Sequence, residues 1–487
     1  MDDLQRKTPR GAISHWNAVT VFSVGFALAA GIIYSNPIIF GGDPLNRLLH
    51  RDRLVMGHQL PMLQVLIFGI TKISTNPSLV RYLVAFIGAL GGVGFYWVVG
   101  DLFGEKWALP AALLFVSNPF FLAQSTVPYQ EGLMLAGLLF SFHLFYRERW
   151  LASSIVLAIA CLTRYEAWAA APVLALTYAV RNDRRLVGWL TGALLFGWMP
   201  VLWIVANRGL SSRSHFVVES SLSVWRLERY VHLGWTLVRY TQFPVLVLAG
   251  LGAWWLCKDP SILDWRMKMQ VAFVGAFLIA IPFSAHGVEP DPERYVTSRE
   301  VFIPIYFVLL LATLGLSRWQ RWTRSIVLLS VVLGAAGGYW YVRRETHRPE
   351  VQLAYRLAKY LDNSVHGNER ALVLAKPIDE VVAQSYLERV RRTKGEDAWH
   401  EAQAEIQEAG TAGTDYQRVL AHSHLSRSQL LSSPDACAEW VAVWSDYPDA
   451  ARELAVGKQV DVLTSPPMRI TILQRPCPNQ LGISSKP

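Results

Sequence analysis

Charge is what this sequence has least of. Only 17% of its 487 residues are charged, against about 25% in soluble globular chains. The chain is 52% hydrophobic, with a mean hydropathy of +0.25. Such a deficit excludes an ordinary soluble globular protein. Cysteine is also scarce, with four in all. No C-x-x-C spacing and no His pair at ligand spacing occurs, so no metal and no cofactor is expected. The sequence lacks internal repeats and low-complexity tracts. It also lacks a basic stripe with interleaved aromatics, which argues against nucleic-acid binding.

What charge there is falls unevenly. Residues 343–487 hold 18 Lys+Arg and 19 Asp+Glu, and read like a soluble domain. Subtraction from the chain totals of 46 and 37 leaves 28 basic against 18 acidic residues in 1–342. The net +9 therefore sits in loops between apolar segments, which points to anionic lipid as its partner.

A span needs about 20 apolar residues, with its backbone satisfied by helix. The segments 18–39, 79–100, 107–124, 130–146, 151–164, 166–181, 186–206, 239–257, 269–285, 300–316 and 325–342 qualify. Ala27-Leu28-Ala29 resembles a signal-peptidase site, but the apolar run continues through Ile39 and predicts an uncleaved first span. Pro61–Ile73 is apolar but short, as a juxtamembrane or re-entrant helix is. With the N-terminus inside, the loops DLFGEKW, RERW, RNDRR, Lys258–Lys268 and SRWQRWTR all fall on the cytoplasmic side, in accord with the positive-inside rule. TRYEAW (163–168) is then an outward-facing turn, and the C-terminal domain lies outside. The fold class expected is an α-helical polytopic membrane domain, residues 1–342, plus a small extracytoplasmic α/β domain, residues 343–487.

In the C-terminal part, Glu350–Asn363 and Ile378–Arg391 read as helices. Ala371–Ala375, Trp440–Trp444 and Met468–Gln474 read as strands, and the alternation suggests a small α/β layer. Cys161 and Cys257 fall in spans. Cys437 and Cys477 are a disulfide candidate on the outer side, closing a loop of about 40 residues and contributing a few kcal/mol.

The predicted spans carry almost no ionisable residue away from their ends, His143 being the main exception. A transporter or lipid flippase usually needs midplane charges and often repeated halves. The carboxylates crowd instead into loops expected on one side, which favours surface chemistry on a lipid-borne substrate. The first outer loop, SNPIIFGGDPLNRLLHRDRLVMGHQLPMLQ, places Asp43 after Gly41-Gly42, followed by Arg47, His50, Arg51 and Arg53. Outer arginines run against the positive-inside trend and call for a local anionic partner. A carboxylate beside such cations suits transfer from a phosphorylated lipid: the acid takes the acceptor's proton and the cations stabilise the departing phosphate. The same Asp43 also suits an N-cap before Pro44.

Glu131 opens a span in the second outer loop, either as a helix N-terminal carboxylate or as a second acid. Arg164 and Glu166 are further candidates for the substrate site, the alternative being structural pairing with other outer loops. Residues two apart do not face each other on a helix, so a mutual ion pair is not expected. Before the tenth span, Arg294 and Arg299 are candidates for phosphate contact, and Glu289, Asp291 and Glu293 read as a solvated acidic face.

The ordered segments QLPMLQVLIFGI, LVRYLVAFIGALGG, LFGEKWALPAALLFVSNPFFLAQS, PYQEGLMLAGLLF and LTRYEA, following an Asp just after the first span, form a recognisable pattern. Over residues 15–320 it resembles the GT-C-type glycosyltransferases of the protein O-mannosyltransferase and aminoarabinose-transferase kind. The resemblance implies inverting transfer of a sugar from a polyprenyl-phosphate carrier, outside the cytoplasm, to a protein, lipid or glycan acceptor. It places the catalytic base at Asp43 and the second-loop acid at Glu131, with Arg47 or nearby cations and Arg299 on the lipid phosphate. The sequence departs from that pattern at Pro44, where a second acid is common, and at His58-Gln59, where a basic residue is common; His58 can serve there. A glycan polymerase or ligase fits the same loops.

Overall fold

A computed structural model of the chain describes residues 14–39, 44, 47–48, 54, 60–74, 76–182, 186–207, 227–284, 301–348, 351–352, 356 and 360, and strands at 371–374, 440–444, 458–465 and 468–474. Contacts divide the chain into two compact units: Met1–Pro37 with Arg51–Val342, and Ile38–His50 with Arg343–Pro487.

The first unit is helical throughout its described residues. Its elements are α1 (His15–Ser35), α2 (Met62–Thr71), α3 (Pro77–Phe103), α4 (Glu105–Val116), α5 (Pro119–Gln124), α6 (Glu131–Tyr146), α7 (Trp150–Cys161), α8 (Ala170–Asn182), α9 (Leu186–Asn207), α10 (Leu227–Tyr240), α11 (Phe243–Lys258), α12 (Trp265–Ser284), α13 (Phe302–Arg318) and α14 (Thr323–Thr346), the last leading into the second unit. Helix thus occupies every segment predicted to span, and α2 occupies the short Pro61–Ile73 stretch. Among the described residues, four helices are long and apolar enough to cross a membrane: His15–Ser35, Ser78–Phe103, Leu186–Ala206 and Thr323–Thr346. Shorter apolar helices include α2, α6, α7, α11 and α13.

Local chemistry sets the breaks. Asn76 caps α3, its Oδ1 accepting from Ser78 N at 2.9 Å, with Pro77 in the first turn. Gly104, at φ +89°, separates α3 from α4 in a conformation that a side chain disfavours. The predicted span 107–124 is divided. α4 ends at Val116, and Asn118 Oδ1 accepts from Phe120 N (3.0 Å) and Phe121 N (3.2 Å) to start α5.

Faces of α1, α9 and α14 leave large apolar side chains outward, with Trp16 80%, Leu194 73% and Leu328 67% exposed. In water such surfaces would drive aggregation, whereas hydrocarbon accommodates them. The chain is an integral membrane protein.

The loops predicted to share the cytoplasmic side do gather at one end of this unit. Asp101, at the end of α3, lies 2.6 Å from His143 Nδ1 and 2.9 Å from Arg147 Nη2. Arg266 donates to the Asp101 carbonyl at 2.5 Å. Arg181 reaches Glu148 at 3.2 Å and stacks 3.8 Å over Trp265. Arg318 lies 5.1 Å over Trp255, bringing the α13–α14 connection to the α11–α12 connection.

Inside, aromatic rings run through the core: Phe95 on Phe115 (4.7 Å), Phe115 on Phe121 (4.6 Å), Phe121 on Phe302 (4.9 Å) and Phe302 on Phe120 (5.0 Å). Helices α11 and α13 cross at backbone contact. A Cβ on Gly252 would meet the Leu311 carbonyl oxygen at 1.9 Å, and one on Gly315 would meet that of Leu248 at 2.2 Å. Lipid tails offer no hydrophobic drive between helices, so close approach at small residues holds such pairs together.

The second unit contains a four-stranded sheet in the order β1-β2-β4-β3: β1 (Ala371–Leu374), β2 (Trp440–Trp444), β3 (Lys458–Ser465) and β4 (Met468–Gln474). β1 and β2 are parallel, while β4 runs antiparallel to β2 and β3. Arg356 Nη1 donates to the Thr464 carbonyl at 3.0 Å, tying a helical residue to β3. Sequence reading anticipated β1, β2 and β4 but passed over β3.

The glycine crossing gives a direct test. Gly252→Ala or Gly315→Ala should lower the stability of the folded protein by about 1–3 kcal/mol through overpacking, measured by thermal unfolding in a fixed lipid or detergent.

Candidate active site

At the end of the first unit opposite the basic loops, four connections are tied together by buried side chains. The first is the end of α1. Asn36 follows α1, and its carbonyl accepts from Arg81 Nη1 at 2.7 Å. Arg81, on the second turn of α3, is fully buried, and its Nε donates to the Thr126 carbonyl at 2.7 Å. One guanidinium thus fastens the end of α1 to the α5–α6 loop. A carbonyl left at a helix end inside apolar surroundings needs such a donor.

The α5–α6 loop delivers Glu131 to the first turn of α6, where it is fully buried. Its Oε1 lies 2.5 Å from Arg164 Nη1. Arg164 follows α7 in extended conformation (φ −149°, ψ 147°), and Tyr165–Ala169 then form a single 3-10 turn before α8. Glu166 is also buried and binds the same guanidinium, its Oε2 accepting from Arg164 Nε at 2.9 Å and its Oε1 pairing with Nη2. The expectation that Arg164 and Glu166 do not pair is corrected here. It assumed α-helical spacing, whereas the extended Arg164 and the 3-10 turn fold the two side chains together. The α2 entry joins the same end, with Met62 N donating to Leu162 O at 3.0 Å.

The cluster is therefore a carboxylate–guanidinium–carboxylate arrangement. Burial strengthens each interaction, since little water screens it. Nearby, Tyr165 packs edge-on against Trp168 at 5.1 Å, and burial raises its phenol above the ordinary value.

The arrangement of the helices is a GT-C-type fold. Among solved structures, the chain is similar to ArnT from Cupriavidus metallidurans in the apo state. The TM-score is 0.59 at 14% sequence identity, over 93% of this chain and 97% of that one. A looser likeness is to the archaeal oligosaccharyltransferase AglB from Archaeoglobus fulgidus in complex with an inhibitory peptide and a dolichol-phosphate. There the TM-score is 0.49 at 12% identity, over 94% of this chain and 74% of that one, a score too low to bear on this chain. No protein-family model and no curated protein matches the sequence.

Of the residues expected at the site, the structure brings Glu131, Arg164 and Glu166 into one cluster. Arg47 is buried and helical. Asp43, His58, Arg294, Arg299, Cys437 and Cys477 lie outside the described residues. Arg81 was missed. Its signal was available, because an arginine within an apolar run (LVRYLV) is costly and needs a function or a partner.

These contacts carry a measurable consequence. Arg164→Gln leaves Glu131 and Glu166 buried without their guanidinium and should cost about 3–5 kcal/mol. Arg81→Met orphans two carbonyls, at about 1–3 kcal/mol each. Thermal unfolding measures both, and hydrogen exchange should accelerate at 124–131 in the Arg81 variant.

Proposed function

We propose that this protein is a glycosyltransferase that moves a sugar from a polyprenyl-phosphate carrier to a protein, lipid or glycan acceptor on the extracytoplasmic side of the membrane, with inversion at the anomeric carbon. The observation that carries the reading is the buried Glu131–Arg164–Glu166 cluster, set at the outer-loop end of a GT-C-type fold. Asp43 is the general base in this mechanism. It removes a proton from the acceptor hydroxyl or amine, which attacks the anomeric carbon as the polyprenyl phosphate departs. Alignment of the two substrates and stabilisation of the leaving charge supply most of the rate.

The roles of the remaining residues follow from charge. The Arg164 guanidinium is matched by two carboxylates, so its part is to hold Glu131 in place rather than to take up a phosphate. In this reading the lipid phosphate is held by Arg47, His58, Arg294 and Arg299. Glu131 is the second acid, orienting the acceptor or polarising Asp43. Residues 1–342 form the catalytic membrane domain. Residues 343–487 form an extracytoplasmic domain that positions the acceptor, with Cys437 and Cys477 as its disulfide.

Transfer from a panel of polyprenyl-phosphate sugars, measured on the purified membrane protein, tests the proposal. Asp43→Asn should reduce turnover by about 10²–10⁴-fold, the range for losing a general base, while donor binding persists. Full activity in Asp43→Asn would remove that residue from the mechanism. A chelator should leave the rate unchanged.

A further inference from the structure

The basic end of the first unit contains a second built feature, separate from the carboxylate cluster. The glycine crossing of α11 and α13 fixes the two helices at backbone contact, and both end a turn or two further on. Their ends therefore emerge together. Trp254, Trp255 and Lys258 come from α11, and Arg318 and Trp319 come from the end of α13. Arg321 and Trp322 follow on the short 3-10 turn before α14.

Cations and indoles interleave there. Lys258 Nζ lies 5.0 Å from the ring centre of Trp254 and 5.5 Å from that of Trp255. Arg318 approaches the same Trp255 to 5.1 Å, and Arg321 lies 5.9 Å from Trp322. Two cations share one indole, a packing that concentrates like charge. Among the described residues, no carboxylate pairs with Lys258, Arg318 or Arg321. The nearest acid in sequence, Asp259, is turned onto Ser261, accepting from its backbone N at 3.2 Å. Trp254, Trp319 and Trp322 stay about half exposed, at 53%, 47% and 57%.

Half-exposed indoles at helix ends settle at the level of lipid headgroups, and uncompensated cations at that level attract anionic ones. Elsewhere at this end Arg147 and Arg181 are paired with the Asp101 and Glu148 carboxylates, and Arg266 donates to the Asp101 backbone carbonyl. From this contrast we infer that the joined ends of α11 and α13 form a binding site for an acidic phospholipid, whose phosphate is held by Lys258 and Arg318 and whose glycerol backbone rests on the tryptophans. Arg321 extends the site along the α13–α14 connection. The bound lipid neutralises the like charges that the crossing brings together, so it stabilises the α11–α13 pair.

The test uses the full chain, delipidated in detergent and titrated with phosphatidylglycerol or phosphatidylcholine, with lipid adducts counted by native mass spectrometry. The wild-type protein should retain phosphatidylglycerol about tenfold or more over phosphatidylcholine, since each basic residue near an acidic headgroup strengthens binding about fivefold. Lys258→Gln with Arg318→Gln should abolish that preference. The charge-conserving pair Lys258→Arg with Arg318→Lys should keep it, as should Lys72→Gln, which removes an exposed cation from the end of α2. Equal retention of the two lipids by the wild type would overturn the inference, and so would wild-type preference in the double Gln variant. Loss of preference in the charge-conserving pair would overturn it too. Preferential capture of soluble polyglutamate would assign the face to an acidic protein instead.

Discussion

Backbone groups freed by a helix break inside hydrocarbon have no water to bind, and this constraint organises the first unit. Each described break at the outer-loop end is closed by a buried polar partner. Arg81 serves the carbonyls of Asn36 and Thr126. Asn118 caps α5 and reaches Gln242, which in turn donates to the Ser117 carbonyl at 3.3 Å. Leu162 O accepts from Met62 N, and Cys161 O accepts from Trp168 Nε1 at 2.9 Å. The irregular backbone that a membrane enzyme needs for chemistry is thereby permitted only where side chains or neighbouring backbone close its hydrogen bonds. Glu131 and Arg164 occur at two of these breaks, so the ion-paired cluster and the groups that permit the fold are neighbours.

Charge is distributed on a second principle. At the basic end, the Asp101 carboxylate engages His143 and Arg147 while its backbone carbonyl accepts from Arg266, so one residue links α3, α6 and α12. A buried chain continues inward from there, with Tyr306 donating to Gln270 at 2.8 Å and Gln270 to Tyr146 at 2.5 Å. At the other end one cation, Arg164, serves two acids. Asp101 and Arg164 each gather two side chains of opposite charge and so tie their end of the unit together.

Much of this was legible in the sequence and some was not, for identifiable reasons. The helices were legible because continuous apolar runs admit no other spanning structure. The break at Asn118 was hidden because its neighbours, Phe115 and Phe120 among them, keep the window apolar across it. Helix α10 escaped because LERYVHLGWTLVRY is amphipathic rather than uniformly apolar, with Leu233 buried and Trp235 67% exposed. β3 escaped because Lys458 and Asp461 interrupt its apolar run, and the strand is irregular between Gln459 and Asp461. The position of Glu131 in a first helical turn was legible because the apolar run begins there. The Arg164–Glu166 pair was misread because an α-helical ruler was applied to a 3-10 turn.

The crossing of α11 and α13 has a mechanical corollary. Each helix offers a side-chain-free position to a carbonyl of the other, at Gly252 and Gly315, and the two contacts are reciprocal. A slide of either helix by a turn would drive a leucine into backbone, so the pair has a single register. Any relative motion of the helices must therefore carry α11 and α13 as one body.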